Sequence, residues 1–328
     1  MKALVYTGIK EMTLQDMPTP VAKNGDSLIQ VEAVGICGSD MHGYLGHDER
    51  RPAPLVLGHE AAGTVIDGPK TGQRVTVNPL VTCGTCPACV EGRTNLCPTR
   101  QIISMPPREG AFAEFLTMPP ENLIPVPDSF DIDKAALAEP LAVCWHGARL
   151  AAEVVFGGLQ TAHCLVIGGG AIGFGSALCL KAFGADHIQI AETNAGRRAF
   201  IADHSDFDTV DGGSVEPNSY DLVIDAVGYR GTRELACLVV RPGGVICHIG
   251  LGDAKDGLDI RRMTLQEITF FGTYAYTAQD FRDTTAAMYD GRLGSLDWHE
   301  NRPLTDGPVA FREILAGTVA TPKVVLRP

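Results

Sequence analysis

The run Val166-Ile167-Gly168-Gly169-Gly170-Ala171-Ile172-Gly173 closes an apolar segment that begins at Cys164 and leads into a helix-compatible stretch from Ser176 to Phe183. A second apolar run, His187 to Ala191, follows, and Glu192 stands directly after it, about twenty residues beyond the glycines. Strand, glycine turn, helix and acidic residue in that order fit the start of a dinucleotide-binding βαβ unit. Glycines let backbone N–H groups approach a pyrophosphate at the positive end of a helix, with Gly168, Gly170, Ile172 and Gly173 at the turn. The glycine pattern alone would equally fit a plain turn; its flanks favour the phosphate site. A carboxylate at Glu192 can bond the adenosine ribose hydroxyls and repel a 2′-phosphate, favouring NAD over NADP. Arg197 and Arg198 pull the other way, because an arginine near that ribose could neutralise a phosphate.

Downstream, Leu222 to Ala226, Val245 to Ile249 and Ile268 to Phe271 read as further strands with helical stretches between them, as in a parallel α/β sheet. The segment Asp203 to Asn218, rich in Asp, Gly and Ser, reads as loop, leaving few residues for the usual strand and helix beside the adenine. Upstream, Leu28 to Val34, Ala61 to Ile66, Gln73 to Asn78 and Ala113 to Met118 are short β-type runs broken by Gly and Pro. A helix is expected from an N-cap at Asp131 or Asp133 through Ala135-Ala136-Leu137 to Leu150. The expected division is a mostly β domain over 1–147, the dinucleotide-binding domain over 148–278, and a return to the first domain over 279–328. The fold class is therefore α/β, with a doubly wound parallel sheet inserted in a mostly β domain.

Cys83, Cys86, Cys89 and Cys97 place four thiols within fifteen positions among Gly84, Pro87 and Gly92. Four thiolates at such spacing close a tetrahedral zinc shell with no position left for substrate, which predicts a structural zinc. A second metal candidate is discontinuous: Cys37-Gly38-Ser39-Asp40 with His42, then Gly58-His59-Glu60, then Ala138-Glu139-Pro140-Leu141. Three protein ligands would leave a fourth position open to water or substrate. By itself His59 reads as a core histidine, and spacing does not show that the three segments meet.

The chain has 328 residues, 45% of them hydrophobic, and a formal net charge of -12, which offers no general attraction to nucleic acid or an anionic membrane. It shows neither a secretory leader nor an apolar run of about 18 residues, so a cytoplasmic protein is expected, with its ten cysteines mostly reduced.

The Cys37-Gly38-Ser39-Asp40 segment, Gly58-His59-Glu60, the four-cysteine lobe and the glycine-rich half, in this order, resemble the zinc-containing medium-chain dehydrogenase/reductase family over essentially the whole chain. The resemblance implies a Rossmann sheet inserted in a GroES-like catalytic domain, a catalytic and a structural zinc, NAD with NADP second, and a homodimer or homotetramer. It implies that Cys37, His59 and Glu139 bind the catalytic zinc, that Glu60 lies behind it, and that Asp40 orients His59. It further implies Lewis-acid activation of a substrate hydroxyl, hydride transfer to the nicotinamide, and loss of the alcohol proton through Ser39 and the cofactor ribose to His42. A basic residue near Arg197 also occurs in NAD-dependent members. An acidic residue at Glu139, where alcohol dehydrogenases of the family carry cysteine, resembles the sorbitol, sugar, butanediol and threonine branches; Cys144 is too far along a helix to replace it.

The implied activity is oxidation of a secondary alcohol in a polyol, sugar alcohol or sugar acid. Alternatives are a threonine-type amino alcohol, a small diol, or a non-catalytic dinucleotide binder, the last disfavoured by an open zinc site. Sugar dehydrogenases often carry an arginine near Tyr274, and this chain does not. Arg51 and Arg108 border the expected cleft and could clamp a carboxylate or phosphate; the plainer expectation is solvated loop charge balanced by Asp48, Glu49 and Glu109.

Overall fold

The computed structural model describes residues 1–23 and 25–328. Six strands lie in the order Asp208–Val210, His187–Ala191, His163–Ile167, Tyr220–Asp225, Val240–His248 and Thr269–Gly272, all neighbours parallel. Numbered along the chain this is the order 3-2-1-4-5-6, the doubly wound arrangement whose ligands bind where the order reverses. The reversal falls between His163–Ile167 and Tyr220–Asp225, so Gly168 and Ala226 leave the sheet side by side at its carboxyl edge.

The helix Ala171–Ala182 starts directly from the glycine turn. Gly168 has φ of 98°, where a side chain is strained, and a Cβ on Gly173 would lie 1.7 Å from the Gly168 carbonyl oxygen. Glycine at these two positions is a packing requirement of the turn.

A second sheet of seven strands combines Leu123–Pro125, Arg74–Val77, Glu60–Asp67, Ser27–Gly35, Lys323–Arg327 and His299–Pro303, with Phe115–Met118 also paired to Ser27–Gly35. The last strand of the chain, Lys323–Arg327, pairs antiparallel with Ser27–Gly35 through Val325 and Gly35, so the chain's end completes a sheet begun near its start.

The expected continuous helix from Asp131 is broken. Asp131 caps a short helix, Ile132–Ala135, and a separate helix, Ala138–Val154, begins after Leu137. Pro140 accounts for the break, because it has no N–H to give the Ala136 carbonyl and its ring would clash there. The segment 203–218 is also not all loop. The helix Ala195–His204 runs into it, and the strand Asp208–Val210 and a single turn at Gly212–Ser214 follow, so a strand and helix do fit the shortened span.

Candidate active site

Asp40 joins the discontinuous segments. Its carboxylate is fully buried; Oδ2 accepts the Cys37 backbone N–H at 3.0 Å, and Oδ1 accepts that of Gly58 at 3.1 Å and lies 3.4 Å from His59 Nδ1. One carboxylate thus caps the helix Gly38–Tyr44 and fixes the His59 ring, leaving Nε2 facing Ser39, whose Oγ is 3.5 Å away. Burial opposes protonation of His59, but the charges of Asp40 and Cys37 outweigh it and raise its pKa.

The donor atoms of Cys37, His59 and Glu60 lie within 4.8 Å of one another, a set that fits a divalent cation. Glu139 is brought to the same cavity but stands outside that tight group. Its Oε1 accepts a 3.0 Å hydrogen bond from Tyr276 Oη, and burial pushes its carboxyl up to about 7. Glu60 accepts two hydrogen bonds from Lys323 Nζ, at 2.7 and 2.8 Å, with Lys323 itself buried. Each acidic candidate is therefore held by one partner from the distal part of the chain. Neither Tyr276 nor Lys323 was visible as a site residue in the sequence; a lone lysine opening the apolar strand Lys-Val-Val-Leu was the one available signal. Cys144 lies away from the group, with Sγ 3.2 Å from the Ile172 carbonyl oxygen.

Cys37, Ser39, His42, Arg50, Arg51, His59, Glu139 and Tyr274 line a cavity of about 300 Å³. Burial and the neighbouring charge of His47 hold the His42 imidazole below its ordinary pKa. A second cavity of about 290 Å³ is lined by Gly168, Gly170, Ile172, Gly173, Glu192 and Arg197. The two share Cys37, Gly38, Ile172, Ala226 and Val227, so the glycine turn and the metal-ligand candidates open onto one continuous cleft. Glu192 is buried, accepting the N–H of Gly169 at 2.8 Å and of Asn194 at 2.7 Å. Arg197 Nη1 stands 3.6 Å from that carboxylate, while Arg198 Nη1 donates to the Glu192 backbone carbonyl at 2.5 Å and pairs with Asp211.

The four lobe cysteines bring their sulfurs within 4.8 Å of one another. Backbone N–H groups of Thr85 and Cys86 hold the Cys83 thiol down to about 5, whereas burial and the neighbouring Cys86 thiol push that of Cys89 up to about 11. No arginine neighbours Tyr274 in sequence; in space Arg100 lies over the Tyr274 ring at 4.7 Å but does not line the cavity. No helix of the described residues is long and apolar enough to cross a membrane.

The description of an alcohol dehydrogenase GroES-like domain fits residues 23–128, and that of a zinc-binding dehydrogenase fits residues 171–290. An L-galactonate-5-dehydrogenase from Escherichia coli strain K12 is 32% identical over 89% of this chain and 88% of its own length. The chain belongs to the zinc-containing medium-chain dehydrogenase/reductase family. Within it, sorbitol dehydrogenase of Bacillus subtilis is 32% identical over 84% of this chain and 82% of its own length. Acetophenone reductase from Geotrichum candidum, solved with NAD, superimposes with a TM-score of 0.88 at 26% identity, covering all of this chain and 97% of that one. This dehydrogenase is accordingly a zinc-dependent, nicotinamide-dinucleotide-linked alcohol oxidoreductase of the polyol branch.

Proposed function

We propose that this dehydrogenase interconverts a secondary alcohol of a polyhydroxylated small molecule, a polyol or sugar acid, and the corresponding ketone, with NAD as the preferred cofactor. The observation that carries this is the single cleft in which the glycine turn and the Cys37–His59 pair share walls. In this reading Cys37, His59 and Glu139 hold a catalytic zinc, with Glu60 kept behind it by Lys323, and Cys83, Cys86, Cys89 and Cys97 hold a structural one. Bound zinc and NAD supply Lewis-acid activation of the hydroxyl and a hydride acceptor. Ser39 Oγ, beside His59 Nε2, takes the alcohol proton as it passes its own on through the cofactor ribose to His42, which delivers a proton to solvent. Asp40 keeps His59 in one ring orientation throughout. Gly168, Gly170, Ile172 and Gly173 receive the pyrophosphate, and Glu192, with Arg197 beside it, receives the ribose.

The same reading takes residues 1–147 and 279–328 as the catalytic domain and 148–278 as the dinucleotide domain. It makes the protein a cytoplasmic homodimer or homotetramer. All ten cysteines are free, which suits a reducing compartment. The edge strand Thr269–Gly272 has one sheet neighbour among the described residues, and the helix before it exposes Ile260 and Leu265 at 62% and 70%. The test of the function is metal analysis of the purified chain together with NAD reduction over a panel of polyols, aldonates, diols and threonine. Two zincs and turnover of polyhydroxylated substrates are expected; turnover confined to threonine or diols would reject the substrate class.

A further inference from the structure

Arg51 is a buried charged side chain of the cleft to which the reaction above gives no role. It is 2% exposed, yet it forms part of the cavity wall with Ser39, His42 and His59. Its Nη1 donates to Asp48 Oδ2 at 2.5 Å, and its Nη2 lies 3.4 Å from Ser39 Oγ. Its Nε is buried with no hydrogen-bond partner among the described residues.

Asp48 is not Arg51's alone. Arg50, on the same wall, donates to it through Nε at 2.8 Å and Nη2 at 3.0 Å. Hydrogen bonds and the charges of these arginines overcome burial and hold the Asp48 carboxyl down to about 2. One carboxylate, Asp48, takes hydrogen bonds from both guanidinium groups, and Arg51 Nε is left with none among the described residues. Burying a charged donor without a partner is costly, and a well-placed anion offsets that cost more fully than a neutral hydroxyl can. Guanidinium donors present the paired geometry that carboxylate and phosphate oxygens accept.

Arg108, which the sequence offered equally as a clamp, is spent elsewhere: its Nε donates to Gln101 Oε1 at 2.8 Å, and it does not line the cavity. Glu109, expected to balance loop charge, accepts the backbone N–H of Val56 instead.

We propose that the substrate is anionic, and that Arg51, assisted by Arg50, receives its carboxylate or phosphate as a specificity-determining pair. The inference rests on the dehydrogenase reading above. The route from Arg51 Nη2 through Ser39 Oγ to His59 Nε2 is two hydrogen-bond-length steps, of 3.4 and 3.5 Å, so the anionic group lies within a few carbons of the carbinol that reacts.

The experiment is steady-state NAD reduction with hexitols, the matching hexonates and the matching hexitol phosphates, in the parent zinc enzyme and in Arg50→Ala and Arg51→Lys. In the parent, kcat/KM for one anionic series exceeds that for the neutral hexitols at least tenfold; whether hexonates or phosphates lead identifies the group. In both variants that ratio falls at least tenfold, mainly through KM for the anion. Arg50 is 61% exposed in its side chain, so Arg50→Ala keeps the test sound if Arg51→Lys folds poorly. Inorganic phosphate should also inhibit competitively with the alcohol and not with NAD. Hexitols turned over as well as both anions, or a ratio unmoved in Arg50→Ala, overturn the anion site and leave the dehydrogenase reading standing. No NAD reduction with any of the three series overturns both.

Discussion

The hydroxyl of Tyr276 donates a 3.0 Å hydrogen bond to Oε1 of Glu139, and both side chains are buried. Tyr276 lies just ahead of the helix Ala278–Tyr289, and Glu139 sits in the first turn of Ala138–Val154. One carboxylate oxygen is thereby fixed to the protein while Glu139 lines the cleft. A hydrogen bond of this kind orients a metal-binding carboxylate, and removing it typically costs about 10–100-fold in metal affinity or activity. Tyr276→Phe should therefore fold normally but release one of two zincs about tenfold more readily to a competing chelator. A chelator titration indistinguishable from the parent would reject Tyr276 as a positioning residue.

Removing a proposed ligand should separate the two zincs. Glu139→Ala is expected to retain one zinc per chain, lose turnover by at least a hundredfold, and keep the parent's melting temperature to within a few degrees. Cys89→Ser is expected to do the reverse in its main effect, lowering Tm by several degrees because structural zinc adds directly to folding free energy. Two zincs in Glu139→Ala, or an unchanged Tm in Cys89→Ser, would reject the corresponding assignment.

The glycine turn, the strands around it and the cysteine lobe were legible in the sequence because each is local: a φ of 98° or a Cys-x-x-Cys spacing constrains its own neighbours. Asp40, three residues from Cys37, was legible for the same reason. What sequence could not carry is contact between distant segments. Tyr276 meets Glu139 across 137 positions and Lys323 meets Glu60 across 263, and neither partner sits in a motif. The break before Ala138 is hidden in the sequence because alanine-rich periodicity runs through it and a single Pro140 is its one mark, proline near a helix start belonging to a first turn and not an interior. Arg51 and Arg108 looked alike in sequence and are separated only by where their loops fold.

The same two helices are joined a turn further on. Asp280 accepts from His146 Nδ1 at 2.7 Å, Arg149 Nε at 2.8 Å and Thr277 Oγ1 at 2.6 Å. Burial alone would raise its carboxyl, but these bonds outweigh burial and hold it far below its ordinary value. A depressed folded pKa stabilises fully above the unfolded value near 4, and the contribution fades as pH falls towards the folded one. Asp280→Asn should lower unfolding free energy by about 3 kcal/mol at pH 7. Urea titrations at pH 7, 4 and 3 should show that gap narrowing below about pH 4; a gap that stays constant or widens in acid would assign the loss to packing.

Glu192 bonds the Gly169 N–H while facing the cleft, so its loss should affect both cofactors unequally. Glu192→Ala removes a ribose partner and loosens the glycine turn, raising KM for NAD. It also removes the charge opposing a 2′-phosphate, with Arg197 left beside the vacated position at 24% side-chain exposure. The NAD-over-NADP ratio of kcat/KM should fall about tenfold, or ~1.4 kcal/mol. An unmoved ratio would place the ribose elsewhere.

The exposed edge at Thr269–Gly272 gives the last expectation, that the protein self-associates. A strand paired along one edge only among the described residues, preceded by a helix exposing Ile260 and Leu265, is a surface that proteins normally cover, and a two-fold axis lets the same edge cover itself. Light scattering at micromolar concentration should give at least twice the 34.9 kDa chain mass. Leu265→Glu places a charge on a residue already 70% exposed, so it should leave the fold of one chain intact while shifting the mass towards monomer. A parent that is monomeric at that concentration refutes the assembly; a parent oligomer untouched by Leu265→Glu moves the interface to another face of the molecule.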